Sequence, residues 1–328
     1  LTPEHVAPER LGVLFGTEMF YDDPIGLADV FRRCRVDDEF DFSLWGEAAI
    51  AEMYPLWMLK FLPNMVACHI GIARDARGPN NTICQGEVSS LLATIEAAQI
   101  IQRGDADVMV VGGSSSQLSA TPSIYRGTVG LSQNEIPHAA VRPFDAGRDG
   151  SVNGEGAGAF ILEEEQHALG RGAKIYARLD GWGTSFGLSS TDPQNHGRAI
   201  HRSIEAALES AGIRGADVGH VNAHAIGSVS GDPLEARAIK AALGDVPVTA
   251  PKSYFGNLGA SGGVVEMVAS VLAFARGEIP VTLNFERPDP ECPIDVIHSQ
   301  PRPINQPVAM KLSQAVGGQT AALVLTAP

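Results

Sequence analysis

The stretch GPNNTICQGEVSSLLATIEAAQIIQRGDADVMVVGG, residues 78–113, builds a platform for a reactive group. A turn at Gly78, Pro79 and Asn80 feeds a short β-branched run, and a helix is predicted to begin near Glu87. Val88, Leu91, Leu92 and Ile95 follow i, i+3, i+4, i+7 and give that helix one buried face. A nucleophile in its first turn would gain from the positive end of the helix dipole. The residue there is a carboxylate, a much weaker nucleophile than a thiolate. "VGHVNAH" (218–224) reads as a strand with His224 at its end, and Lys252 stands between a strand and a glycine loop. Lys252 is expected to form a buried pair with Glu235. Cys84, three residues before Glu87, is expected to pack as a small apolar residue on its strand.

Short β-branched runs alternating with amphipathic helices must position these groups, which indicates α/β layers with buried strands. "RLGVLFGT" (10–17), "DVMVVGG" (107–113) and "GAGAFILEE" (156–164) read as strands, the last of them buried. The pattern then starts again: Ile200, Ile204, Leu208 and Ala211 mark a helix face ahead of the strand that ends at His224. "GDPLEARAIKAAL" opens a helix with Asp232 as N-cap, Pro233 at the first position and Glu235 three after the cap. "VPVTAPKS" (246–253) is a strand, 263–276 a long helix, and "TAALVLTAP" a closing strand. The helix–strand units fall into two halves, 1–165 and 166–328, with no low-complexity linker between them.

Composition narrows the function classes. The 328 residues are 44% hydrophobic and only 19% charged, which suits a compact chain with a large interior. A net charge of −14 argues against nucleic-acid binding and docking on anionic membranes. The four cysteines, Cys34, Cys68, Cys84 and Cys292, are scattered, so reduced thiols in a cytoplasmic protein are expected, with no metal site and no cofactor. The longest apolar helical stretch, around 264–275, is short and contains Glu266, so no membrane insertion is expected. "GASGG" (259–263) matches a hydrolase elbow around Ser261, with Asp295 and His298 downstream, but "SYFGNL" before it is no apolar strand. "VVGGSSS" has neither the dinucleotide fingerprint nor a Walker lysine.

Several motifs together resemble the β-ketoacyl synthase (ketosynthase) family of the thiolase superfamily. "VRPFDAGRDGSVNGEGAGAFILEE" (141–164) is similar to the family's R-P-F-D-x-x-R-D-G-F-V-x-G-E-G-A-G, with Ser151 where an aromatic is usual. "VNAHAIGSVSGDPLEA" (221–236), "PKSYFGNLGASGG" (251–263) and "LNFERPDPEC" (283–292) resemble further family motifs in the same order and spacing. The resemblance runs from about residue 10 to the C-terminus, and the family's first strand has no counterpart, as in a truncated start. It implies a five-layered αβαβα fold of two half-repeats. It also implies that Glu87 occupies the position of the acyl-accepting cysteine. His224 then matches the first catalytic histidine, Lys252 the supporting lysine, and Asn257 replaces the second histidine. After His224 the usual glycine and threonine have become Ala225 and Ile226. The acyl-gating loop reads Ser313, Gln314, Ala315, Val316, Gly317, Gly318, so Gln314 and Val316 stand where phenylalanines are usual.

These departures imply a dismantled condensing site. Asn257 can donate a hydrogen bond but cannot carry a proton or positive charge to an enolate as imidazole can. An ionised Glu87 would repel a malonyl carboxylate by roughly 4 kcal/mol at about 4 Å and an effective dielectric of 20. That is on the order of a thousandfold in rate. The resemblance therefore implies a degenerate subunit like the chain-length factors, partnering an active ketosynthase. The alternatives are an enzyme that keeps part of the chemistry, malonyl decarboxylation or acyl transfer, and a lipid- or acyl-binding protein that uses the old tunnel. Acyl carrier protein or an acyl thioester is the implied partner. A homodimer or heterodimer is expected along the edge around "VMVVGG".

Overall fold

The computed structural model describes residues 4–19, 24–119, 123–124, 127–188, 192 and 194–328. Leu11–Thr17 (β1), Asn80–Ile83 (β2), Val108–Ser116 (β3) and Glu155–Glu163 (β4) make a first sheet in the order β2–β1–β3–β4. β1 runs parallel to β2 and β3, whereas β4 is antiparallel to β3. A second sheet is built from Arg178–Phe186 (β5), His220–Asn222 (β6), Pro247–Thr249 (β7), Asp295–Val296 (β8), Val308–Gln314 (β9) and Gln319–Thr326 (β10). Its order is β8–β7–β6–β9–β10–β5, parallel from β8 to β9 and antiparallel from there on.

Five layers stack through these sheets. Met65–Arg74 (α1) lies on the outer face of the first sheet, packing Ala67 and Ile70 near Val13 and Phe15. Ser89–Gln102 (α2) and Gly262–Arg276 (α5) form the middle layer, where Val88, Leu91, Ile95, Val264 and Met267 meet Ala309, Ala321 and Leu323 of the second sheet. Gln194–Ala211 (α3) and Gly231–Leu243 (α4) close the far side through Ile200, Ile204 and Ile239. Each large aliphatic side chain buried in this way contributes about 1.5–3 kcal/mol. β1 comes so close to α2 that a Cβ on Gly16 would sit 2.3 Å from the backbone nitrogen of Ser90. Only glycine fits there.

The fold corrects several sequence expectations. β4 is not buried: its residues alternate between exposed and half-buried, and its outer edge borders a groove of about 900 Å³ lined by Phe160, Leu162, Trp182 and Met267. β3, which contains "VMVVGG", is an interior strand, so the edges of its sheet are β2 and β4. The apolar stretch is also longer than the sequence suggested. The turn Gly259–Ser261 continues into α5, and Gly259–Arg276 is 18 residues of mean hydropathy 1.2, the one candidate span among the described residues. It lies 61% buried between the sheets. Ser261 is no nucleophile elbow: it ends a 3-10 turn, is fully buried and donates to Leu258 O at 2.9 Å.

Burial of His220 under α5 links stability to pH. Its ring sits against Ser270 (Nε2–Oγ 3.1 Å) and burial pushes its pKa down to about 4. The unfolded chain binds this proton near pH 6.5, so the contribution is present above that pH and lost as pH falls toward 4. Between pH 7 and pH 5 the loss from this residue is about 2 kcal/mol. Urea unfolding at both pH values should show a drop that is smaller by about that amount in His220→Phe. An equal drop in both proteins would refute this origin.

Candidate active site

The turn between β2 and α2 carries Glu87. α2 begins at Ser89 with Val88 as its N-cap, two residues later than the sequence periodicity suggested. The turn is clamped by the Ser89 hydroxyl, which accepts from the Gln85 N–H at 2.7 Å and donates to Gly86 O at 2.6 Å. Gly86 takes φ +62°, a conformation that L side chains rarely adopt. Ser313 of β9 donates from Oγ to the Glu87 backbone carbonyl at 2.9 Å, which ties the turn to the second sheet, and the Glu87 side chain is half-buried. Asn257 Nδ2 donates to Glu87 Oε1 at 3.2 Å. The Asn257 oxygen is engaged by the Gly259 N–H at 3.1 Å, so its NH2 group is the end presented to Glu87.

His224 is held from behind. Its backbone N–H and that of Ala225 donate to the two oxygens of Glu235, both at 2.8 Å. Burial raises the Glu235 pKa, against the pull of these donors and of Lys311 and Lys252. Lys252 Nζ lies 3.3 Å from His224 Nδ1 and donates to Glu266 Oε1 at 2.6 Å. Burial, then Lys252, Lys311 and His196, hold His224 well below the ordinary histidine range, so its ring is neutral. An ammonium offers only donors, so Nδ1 accepts from Lys252 and the ring proton belongs on Nε2.

Two expected contacts are replaced. Lys252 pairs with Glu266 of α5 rather than Glu235, because Glu235 spends both oxygens on backbone donors. Asp232 is not the N-cap of α4. Ser230 holds that place, and Asp232 is buried in the first turn, accepting from Phe144 N and Ser228 N, each at 3.0 Å. Burial dominates those donors and pushes the Asp232 carboxyl up to about 7.

Of the stretch 313–318, Ser313 and Gln314 end β9, and the hairpin turn to β10 is 315–318, closed by Gly318 N–H to Ala315 O at 2.9 Å. Gln314 is buried, and its Oε1 accepts from His196 Nε2 at 3.0 Å while its Nε2 has no partner among the described residues. Val316, by contrast, is 86% exposed. Gly317 and Gly318 complete the turn, and Ile226 is half-buried just beyond His224. Cys84 is exposed, with Sγ 3.5 Å from Thr17 Oγ1, rather than packed into the strand. Sequence reasoning missed the roles of Glu266, Lys311 and His196. The available signals were one acid inside an apolar helix and one lysine at an inward position of "VAMKLSQ".

The family profile for the β-ketoacyl synthase N-terminal domain matches residues 1–168, and that for the C-terminal domain matches residues 176–286. The chain belongs to the β-ketoacyl synthase family. It is 36% identical over 280 residues to 3-oxoacyl-[acyl-carrier-protein] synthase 2 of Synechocystis, covering 83% of this chain and 66% of that protein. It is 38% identical over 275 residues to the Mycobacterium tuberculosis protein of the same name, covering 82% of this chain and again 66% of the relative. The chain thus spans about two thirds of the length of these curated relatives. A solved type II polyketide acyl-carrier protein in complex with its ketosynthase bound to a hexaketide is similar, with a TM-score of 0.87 and 28% identity. That likeness covers 100% of this chain and 80% of the solved chain, and the fold is the thiolase type.

A thiol in the Glu87 turn would lie just ahead of the first turn of α2. In a Cys84→Ser background, Glu87→Cys should give one thiol that alkylates faster than free cysteine at pH 7, because the start of α2 favours a thiolate. Rates with iodoacetamide against pH measure this, and an ordinary thiol profile near 8.5 would count against it.

Proposed function

We propose that this ketosynthase homologue of fatty-acid or polyketide synthesis does not itself condense acyl groups, and that it is the partner subunit of an active ketosynthase. The Glu87–Asn257 contact carries the reading. The two side chains engage each other at 3.2 Å, and neither is a thiol or an imidazole. A carboxylate in the Glu87 turn supplies no acyl-enzyme, and an amide at Asn257 supplies no proton to an enolate. Chain-length factors are the family members that this pattern fits. The bound acyl-carrier protein described for the solved polyketide ketosynthase suggests that a carrier protein visits this surface too. The proposed pairing edge is β2, which leads directly into the Glu87 turn and, among the described residues, has one side unpaired.

A second reading rests on the contact between Lys252 and His224. A neutral imidazole with its proton on Nε2 can still donate to a thioester carbonyl, which supports decarboxylation of malonyl carrier protein without condensation.

Incubation of the pure chain with labelled acyl- and malonyl-carrier proteins should yield no 3-oxoacyl product. Turnover near that of an ordinary ketosynthase would sink the proposal. Decarboxylation alone would favour the second reading, and a lone chain purified with tightly held lipid would favour an acyl-binding protein. Glu87→Cys alone should not restore condensation. Glu87→Cys with Asn257→His should raise decarboxylation by more than the product of the single effects, because both groups act on one transition state.

A further inference from the structure

Glu266 is shared by two lysines. Its Oε1 takes Lys252 and its Oε2 takes Lys311 of β9, and all three side chains are at least 98% buried. Lys311 Nζ also lies 3.3 Å from Ala223 O and 3.5 Å from Asn222 O, the backbone immediately before His224. A buried carboxylate with one oxygen bare would be costly, and it would draw the nearest cation onto both oxygens. The nearest cation besides Lys311 is Lys252, the group that donates to His224 Nδ1.

We infer that Lys311 is a positioning residue for His224: by holding Glu266 Oε2 it leaves Lys252 with a donor for Nδ1, and so decides which ring nitrogen carries the proton. The inference rests on the reading of His224 as a donor in this site. The alternation along β9 places Lys311 for the task. Ala309 and Ser313 share its inward side, whereas Met310 and Leu312 face the core under α3 and α4.

The charged and titratable groups around the cluster come from every neighbouring element. They are Glu266 on α5, Lys252 after β7, Glu235 on α4, and His224 itself, which also feels His196 on α3. Burial pushes Lys311 down to about 8, with Glu266 acting against it and Lys252 with it. Below that pH the carboxylate has two cations. Above it Lys311 turns neutral, Lys252 swings fully onto Glu266, and Nδ1 loses its donor.

The test reads the ring directly, with neither carrier protein nor partner, so its failure leaves the condensation assay standing. In nitrogen-15 histidine spectra of the intact chain, His224 should be one neutral tautomer, protonated on Nε2, from pH 6 to 7.5. Its signals should then move toward a tautomer mixture with the same midpoint as the Lys311 side chain, near 8. Lys311→Met should show the mixture throughout and lose that midpoint, with circular dichroism confirming that it is folded. If Lys311→Met does not fold, the wild-type titration decides. Coincident midpoints support the inference, and a His224 signal that stays flat while Lys311 titrates overturns it. A folded Lys311→Met with the wild-type tautomer also overturns it.

Discussion

One carboxylate between two ammonium groups, sealed from water in the middle of the molecule, is the constraint on which the rest of the site depends. Removing three charges from water costs several kcal/mol for each ion. The cost is offset only when the partners are held at hydrogen-bonding distance by elements that cannot drift apart. Here those elements are α5, β9 and the short helix Lys252–Phe255. Fixing them fixes the layer of helices between the two sheets, and that layer carries the Glu87 turn at the start of α2.

Other buried carboxylates do the same work on the backbone. Glu235 gathers the N–H groups of His224 and Ala225, and Asp232 gathers those of Phe144 and Ser228. Asp145 accepts from Gly147, Glu286 and Arg287 at 2.6–2.8 Å. Burial opposes its ionisation, but those donors outweigh it and hold its carboxyl below the ordinary range. Glu235, Asp232 and Asp145 thus serve as staples for the loops whose N–H groups they gather.

Much of this was legible in the residues themselves. The period-3.6 pattern from Val88 onward, the strand that ends at Asn222 two residues before His224 and the glycine loop after Lys252 are local signals, because helix and strand periodicity and turn chemistry act within a few residues. The ordered motifs around Asp145, His224, Lys252 and Asn284 also placed the chain in its family and its fold. That Glu87 brings a carboxylate and Asn257 an amide to the turns they occupy was legible for the same reason, since side-chain chemistry needs no third dimension to be read.

Pairing across the chain was not legible. Lys252 and Glu235 both stood in the right motifs, yet the partner of Lys252 is Glu266, and Lys311 reaches that same carboxylate from 45 residues away. The sequence lists the charges but not the distances between them, and a carboxylate's partner is decided by which donors the packed layers bring within about 3 Å. The start of α2, the exposure of Cys84 and the interior position of β3 were decided in the same way. Local propensity specified the elements and the chemistry of their side chains. Only the stacking of two sheets around α2 and α5 determined which of those side chains meet.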